Sequence, residues 1–183
     1  MATATREAGP IERRDLLAMV VAAVAVNAIG ALGIPFTTPD AAWFAALELP
    51  AYYPPNWAFG VVWPVLYALM GVAAVLVHRE GRARDAARRT GAGSRVLPSD
   101  RAARVALGLF GVQLVVSVAW SPIFRGLRRP DLGVVVLLAL CALVAATIVA
   151  FARLDRRAAA CLAPSLAWIA FATALNYGIC ALN

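Results

Sequence analysis

Five apolar segments, each long enough to cross a lipid bilayer, divide this 183-residue chain. A membrane-spanning helix needs about 20 apolar residues to cross roughly 30 Å of hydrocarbon. The segments cover residues 16–36, 57–77, 105–124, 132–151 and 158–182. Because 62% of the residues are hydrophobic and only 15% are charged, the composition excludes a soluble domain. The sequence therefore predicts an all-α fold, an integral membrane bundle of five transmembrane helices.

Little of the chain lies outside the predicted spans. Residues 1–15 are predicted to form a disordered polar N-terminal tail, and residues 16–183 a single five-helix transmembrane domain with an Arg-rich cytoplasmic loop at 78–104. Residues 82–89 can continue the second helix beyond the membrane before glycines end it. Short connections predict that the third, fourth and fifth spans pack as antiparallel neighbours. A cleaved signal peptide is the alternative for the first span, but its apolar stretch exceeds the usual length of about 7–15 residues.

The arginines determine the predicted orientation. All 17 basic residues are arginine, and fourteen of them lie before the first span, between the second and third, or between the fourth and fifth. Because basic loops remain in the cytoplasm, we expect the N-terminus to be cytoplasmic and the C-terminus outside the cytoplasmic membrane. The net charge of +7 therefore reflects topology and contact with anionic headgroups, not nucleic-acid binding.

The sequence offers few groups for metal or covalent chemistry. His78 is the only histidine, and Cys141, Cys161 and Cys180 are widely spaced, so no metal site is predicted. No nucleotide-binding or hydrolase motif occurs. Acidic residues are missing from the central part of every predicted span, which argues against a proton-coupled transporter.

Tryptophans mark two different depths in the predicted spans. Indoles at the membrane interface usually anchor helices at headgroup level, and this explanation fits Trp43 and Trp57. Trp63, Trp120 and Trp168 lie deeper, where headgroup anchoring does not explain them. They are predicted either to fill the core of the bundle or to line a cavity.

Polar residues share helix faces with two of these deep indoles. One face of the third span carries Gln113, Ser117, Trp120 and Phe124, and one face of the fifth carries Trp168, Ala172 and Asn176. An aromatic slot with a few polar contacts would suit a flat, largely apolar ligand. Plain packing, with Gln113 and Asn176 hydrogen-bonded between helices, is the alternative. Spacing alone leaves both open.

Three segments resemble the TspO/MBR family, the tryptophan-rich sensory and translocator proteins. They are PAYYPPNWAFGVVWPVLY at 50–67, WSPIF at 120–124 and AWIAFATALNY at 167–177. The likeness extends over residues 43–183 without the Arg-rich loop at 78–104, and residues 113–126 are similar to the family's third-helix pattern QLxxNxxWxxxFFG. Family members are five-helix proteins, commonly dimeric, that bind porphyrins and, in some cases, sterols or drugs. The resemblance implies a homodimer in the lipid bilayer whose partner is a porphyrin or another flat apolar small molecule.

The function implied by the resemblance is that of a membrane receptor for porphyrin-type tetrapyrroles, such as protoporphyrin IX or haem-like ligands. Such a receptor would act in stress-linked regulation of tetrapyrrole levels. One alternative is an enzyme that degrades protoporphyrin IX with light and oxygen, and another is a passive translocator of apolar ligands. No cofactor is required, because the porphyrin would be the ligand or the substrate.

The resemblance also implies a pocket, with residues 43–57 as its lid. Together with the helix faces it gives the candidate ligand-binding residues Trp43, Tyr52, Trp57, Trp63, Gln113, Ser117, Trp120, Trp168, Ala172 and Asn176. Trp63 and Trp168 would be catalytic, as one-electron donors, only if the protein degrades porphyrin in light.

The chain departs from the family pattern at several positions. Tyr52 stands where the family usually has Trp, Leu49 where it has Lys, and Ser117 where it has Asn. Helix five often has Tyr where this chain has Ala163 and Ser165. Leu49 removes a charge that could pair with a propionate, so ligand selectivity is expected to differ. A basic residue is also missing after 175–177, so cholesterol recognition is not supported.

Overall fold

The computed structural model describes residues 9–36, 41–88 and 100–183, and over these residues the chain is helical without β-strands. The α-helices are α1 (Arg13–Ala31), α2 (Ala41–Ala45), α3 (Asn56–Arg88), α4 (Arg101–Ser121), α5 (Pro130–Ala152) and α6 (Arg156–Leu182). A 3₁₀ turn, Ile34–Phe36, follows α1, and a π-helical turn, Pro122–Gly126, follows α4. All but α2 are long and apolar enough to cross a membrane, which confirms the predicted five-helix fold class.

Acidic side chains lie at the start of three of the long helices, where backbone N–H groups lack helical partners. Glu12 and Asp15 cap the start of α1 reciprocally. Asp100 accepts a hydrogen bond from the backbone N–H of Ala103 at 3.2 Å, and Asp155 caps α6. Helix α1 therefore begins inside the tail predicted to be disordered, residues 1–15. Residues 1–8 of that tail lie outside the described residues.

Helix α3 continues well beyond the apolar segment that ended at residue 77. It remains helical to Arg88, as expected for the basic continuation, although residues 89–99 lie outside the described residues. Arg79 Nε lies 3.1 Å from Asp15 Oδ1, and Arg84 Nε lies 2.8 Å from Glu80 Oε1. The Arg79–Asp15 pair holds the extension of α3 against the start of α1, whereas the Arg84–Glu80 pair lies within α3. We call this end of the bundle the arginine-rich end and the opposite end the loop end.

Four helices form a ring, and the fifth long helix lies outside it. Around the ring α3 contacts α4, α4 contacts α5, α5 contacts α6, and α6 contacts α3, whereas α1 packs on α3 and α4. The predicted third and fourth spans are therefore neighbours, and so are the fourth and fifth. Helices α1 and α3 come close at Gly71, where an added Cβ would lie 2.6 Å from the backbone carbonyl carbon of Ala22.

The apolar side chains divide between a core and a lipid-facing surface. Val77, Phe151 and Leu162 are fully buried in the half of the bundle near the arginine-rich end. On the outer faces of the spans Leu17 is 66% exposed and Val115 is 70% exposed. Such surfaces are suited to hydrocarbon, and the protein is an integral membrane protein. Because the core fills the arginine-rich half, the space for a ligand lies in the other half.

Candidate ligand-binding cavity

A cavity of about 850 Å³ lies in the loop-end half of the bundle. All five long helices contribute to its walls, and residues of the first loop line it at the loop end. Its volume is within the range of roughly 300–1,000 Å³ that small-molecule sites occupy. The cavity is therefore large enough for an organic ligand of substantial size.

Aromatic rings form a large part of the cavity wall. Each deep indole packs against a second ring: Trp63 on Tyr67 (centroids 5.4 Å apart, planes at 29°), Trp120 on Phe124 (4.9 Å, 10°) and Trp168 against Phe59 (5.8 Å, 69°). Stacked and edge-to-face pairs of this kind are favourable beyond their buried area. They hold the indoles in fixed orientations around the cavity.

A few polar groups interrupt the aromatic wall, and most of them are already paired. The Asn176 carboxamide accepts from Trp120 Nε1 at 3.1 Å and donates to the carbonyl of Pro130 at 2.8 Å. The hydroxyls of Tyr67 and Ser117 are 3.2 Å apart. Trp168 differs, because its buried Nε1 has no hydrogen-bond partner among the described residues. An unpaired buried donor of this kind is costly, and the atom is not accessible from the cavity in this structure.

The wall between α1 and α3 has an irregular backbone. Pro64 lies inside α3 and has no N–H, so the carbonyl of Gly60 loses its helical partner. Asn27 Nδ2 donates across to the carbonyl of Pro64 at 3.2 Å. A Cβ added to Gly60 would meet nothing within 4 Å. There is therefore free space next to Gly60, whereas the amide of Asn27 bridges α1 and α3 in this wall.

The structure brings together several of the residues selected from the sequence. The cavity is lined by Trp63, Ser117, Trp120, Trp168, Ala172 and Asn176. From the predicted lid, residues 43–57, the lining includes Phe44, Leu49 and Tyr53. The three deep tryptophans thus lie around one space, and the first loop is part of its boundary.

Four candidate residues do not line the cavity. Trp43 packs behind the wall, with its ring centroid 6.0 Å from that of Phe124. Tyr52 instead donates from its hydroxyl to the carbonyl of Ala174 at 3.0 Å. Trp57 is 70% exposed at the start of α3, where an interfacial anchor would lie. Gln113 is 1% exposed, and its amide atoms have no partner among the described residues, so the interhelical bond of the packing alternative is not seen for Gln113.

Some lining residues were not selected from the sequence. Phe59 and Tyr67 lie four residues before and after Trp63, so helical spacing could have identified both. Arg125 lies in the π-helical turn, and its guanidinium carbon lies 4.1 Å from the centroid of the Phe44 ring. No simple periodicity identifies it, because a π-turn changes the register of the helix. Within the described residues, no group of His, Cys, Asp and Glu is placed to hold a metal ion.

The fold and the cavity define a class: a five-helix integral membrane protein with an aromatic cavity in one half of the bundle. Residues 19–182 match the model of the TspO/MBR family. The chain is 36% identical to the tryptophan-rich protein TspO of Archaeoglobus fulgidus over 170 residues, which are 92% of this chain and 99% of that protein. The protein belongs to the TspO/MBR family.

Two further relatives show how far the similarity extends. The chain is 32% identical to the tryptophan-rich protein TspO of Chlorobaculum tepidum over 157 residues, covering 85% of this chain and 89% of that protein. It is 39% identical to the translocator protein of Homo sapiens over 135 residues, covering 74% of this chain and 71% of that protein. The matches cover most of the membrane bundle in each case.

Proposed function

We propose that this protein is a membrane receptor for porphyrin-type tetrapyrroles, acting in stress-linked regulation of tetrapyrrole levels. The observation that carries the proposal is the arrangement of Trp63, Trp120 and Trp168 around one cavity of about 850 Å³. Flat rings on several sides of an apolar space favour a flat conjugated ligand.

A dark titration with protoporphyrin IX tests the proposal. Saturable quenching of tryptophan fluorescence is expected in purified protein, and Trp63→Ala and Trp168→Ala should each weaken the affinity. Trp57→Ala is the matched control, because Trp57 is exposed away from the cavity. Unchanged affinity in both cavity variants would contradict the proposed site.

Light-dependent degradation of protoporphyrin IX is a second candidate function, favoured by the position of Trp63 and Trp168 in the cavity wall. An indole next to an excited porphyrin can donate one electron to it; dioxygen would then add to the porphyrin radical anion, and the electron would return to the indole radical cation as the oxidised porphyrin forms. The stacked pair of Trp63 and Tyr67 places a second oxidisable ring beside the first. Illumination of the complex should then bleach the porphyrin faster than in the Trp63→Phe, Trp168→Phe double variant. Equal bleaching in the two proteins would count against catalysis.

The proposal includes an orientation in the cytoplasmic membrane. The arginine-rich end would face the cytoplasm and the cavity would lie near the outer surface, in agreement with the positive-inside rule. A reporter enzyme active only in the cytoplasm, fused to the C-terminus, should therefore be inactive. The expected homodimer also stays a prediction, which mass measurement of the detergent-solubilised protein can test.

A further inference from the structure

Arg125 introduces a positive charge into the wall of the cavity. Among the described residues that line the cavity, it is the only one with a charged side chain. Its guanidinium lies over the ring of Phe44, in the loop that closes the cavity, and the residue is partly buried. The charge therefore lies at the loop end of the site, beside the aromatic walls.

The π-helical turn explains how an arginine reaches this position. The backbone N–H of Leu127 donates to the carbonyl of Pro122 at 2.9 Å, which inserts a wide turn at the end of α4. Phe124 in the same turn stacks on Trp120, and Arg125 also lines the cavity.

One neighbouring group of Arg125 is itself titratable. Tyr53, in the loop above the cavity, is the nearby phenol. Burial raises the pKa of Tyr53 and the positive charge of Arg125 lowers it, with burial the larger effect. The phenol is therefore neutral at physiological pH, and it does not cancel the charge. Reduced dielectric near the apolar walls strengthens attraction to an anion.

We propose that Arg125 binds a carboxylate of the ligand, so that the site selects flat, apolar acids over their neutral esters. A guanidinium can bind both oxygens of a carboxylate through parallel N–H donors. The aromatic body would lie among the deep tryptophans, with its acid group at the loop end. This inference rests on the proposed function, for which a porphyrin carrying propionate groups is the ligand.

Paired acid and ester ligands test this selectivity. The affinities for protoporphyrin IX and its dimethyl ester are measured in the dark for the wild type, Arg125→Gln and Arg125→Lys. The wild type should prefer the acid. Arg125→Gln should lose about tenfold in affinity for the acid, as expected for one charge-assisted hydrogen bond, and keep its affinity for the ester. Arg125→Lys keeps the charge but not the paired N–H donors, so it should retain only part of the preference.

Two controls keep the inference falsifiable. Arg129→Gln removes an exposed arginine that is paired with Asp131 and does not line the cavity, so it should leave both affinities unchanged. The same series is measured with 1-pyrenebutyric acid and its methyl ester, a smaller flat pair. Thermal unfolding and size-exclusion profiles establish that each variant is folded.

The outcomes separate the inference from the proposed function. The inference is overturned if the wild type and Arg125→Gln bind the acid with equal affinity. It is also overturned if Arg125→Gln loses the same affinity for the acid and for the ester, because Arg125 would then only shape the cavity. If the wild type binds neither porphyrin, the proposed function fails. The pyrene pair then decides the inference: acid selectivity lost in Arg125→Gln supports it, and no such selectivity overturns it.

Discussion

Trp120 donates from its indole Nε1 to Oδ1 of Asn176 at 3.1 Å, and this bond joins α4 to α6 at the cavity wall. The same carboxamide donates to the carbonyl of Pro130 at the start of α5. Gly133 permits the arrangement, because a Cβ there would lie 2.8 Å from Asn176 Oδ1. One amide that is 2% exposed thus connects three helices and fixes an indole of the site.

The Trp120–Asn176 bond should contribute measurably to the stability of the bundle. A double-mutant cycle of Trp120→Phe and Asn176→Ala is expected to give a coupling free energy of about 0.6 kcal/mol, and at most about 1.7 kcal/mol, as for interhelical bonds in other membrane proteins. Unfolding in mixed detergent micelles is the measurement. Asn176→Ala should destabilise more than Trp120→Phe, because it also removes the bond to Pro130. Additive effects of the two substitutions would show that the bond contributes nothing.

The contact of α1 with α3 should be intolerant of a single methyl group at Gly71. A Cβ at this position would lie 2.6 Å from backbone atoms of Ala22 and Ala23, which cannot move without displacing α1. We expect Gly71→Ala to cost about 1–3 kcal/mol, as overpacking does elsewhere. Gly60→Ala is the matched control and should be near neutral, because its Cβ would meet nothing. Equal unfolding midpoints for the two variants would refute the close packing.

Alkaline pH should weaken the loop above the cavity through Tyr53. Burial raises the pKa of this phenol above 10.0 despite the nearby charge of Arg125. In the folded state the proton is therefore held more tightly than in the unfolded chain. The resulting stability is present below pH 10, and it is lost as the pH rises through the folded pKa. The phenolate absorbance difference between the wild type and Tyr53→Phe should titrate above pH 10. A titration at or below that pH would contradict the described burial.

The sequence predicted the parts of the site that depend on regular helix periodicity. Trp120 and Ser117 share a face of α4, as do Trp168 and Asn176 on α6, and all four line the cavity. Composition and segment length were sufficient to predict the five spans, because the thickness of a bilayer fixes the length of a helix that crosses it.

The remaining parts depend on contacts between distant segments or on local departures from the α-helix. Tyr52 was expected to contact the ligand, but its hydroxyl reaches a backbone carbonyl of α6, 122 positions further along the chain. Gln113 shares a face with Ser117, yet it lies deeper in the bundle, outside the cavity lining. The π-turn that brings Arg125 to the cavity has no periodic signal in sequence.

Two residues connect the first loop, the predicted lid, to α6 by hydrogen bonds. Asn183 accepts from the backbone N–H of Glu48 and donates to its carbonyl, both at 3.0 Å. The hydroxyl of Tyr52 donates to the carbonyl of Ala174 at 3.0 Å, beside Gly178, where a Cβ would lie 2.5 Å from that hydroxyl. These bonds hold the first loop over the cavity.

Removal of both attachments should increase opening of the lid without unfolding the bundle. Each hydrogen bond contributes about 0.5–1.5 kcal/mol, so Tyr52→Phe combined with Asn183→Ala should speed amide exchange in residues 46–53 by about tenfold or more. Exchange within α5 should not change. Tyr177→Phe is the matched control, because Tyr177 is 65% exposed on the same helix. If the loop exchanges at the wild-type rate in the double variant, the attachments do not hold it. Faster exchange with faster ligand association would mean that ligands enter beneath the loop, because opening would then limit access to the cavity.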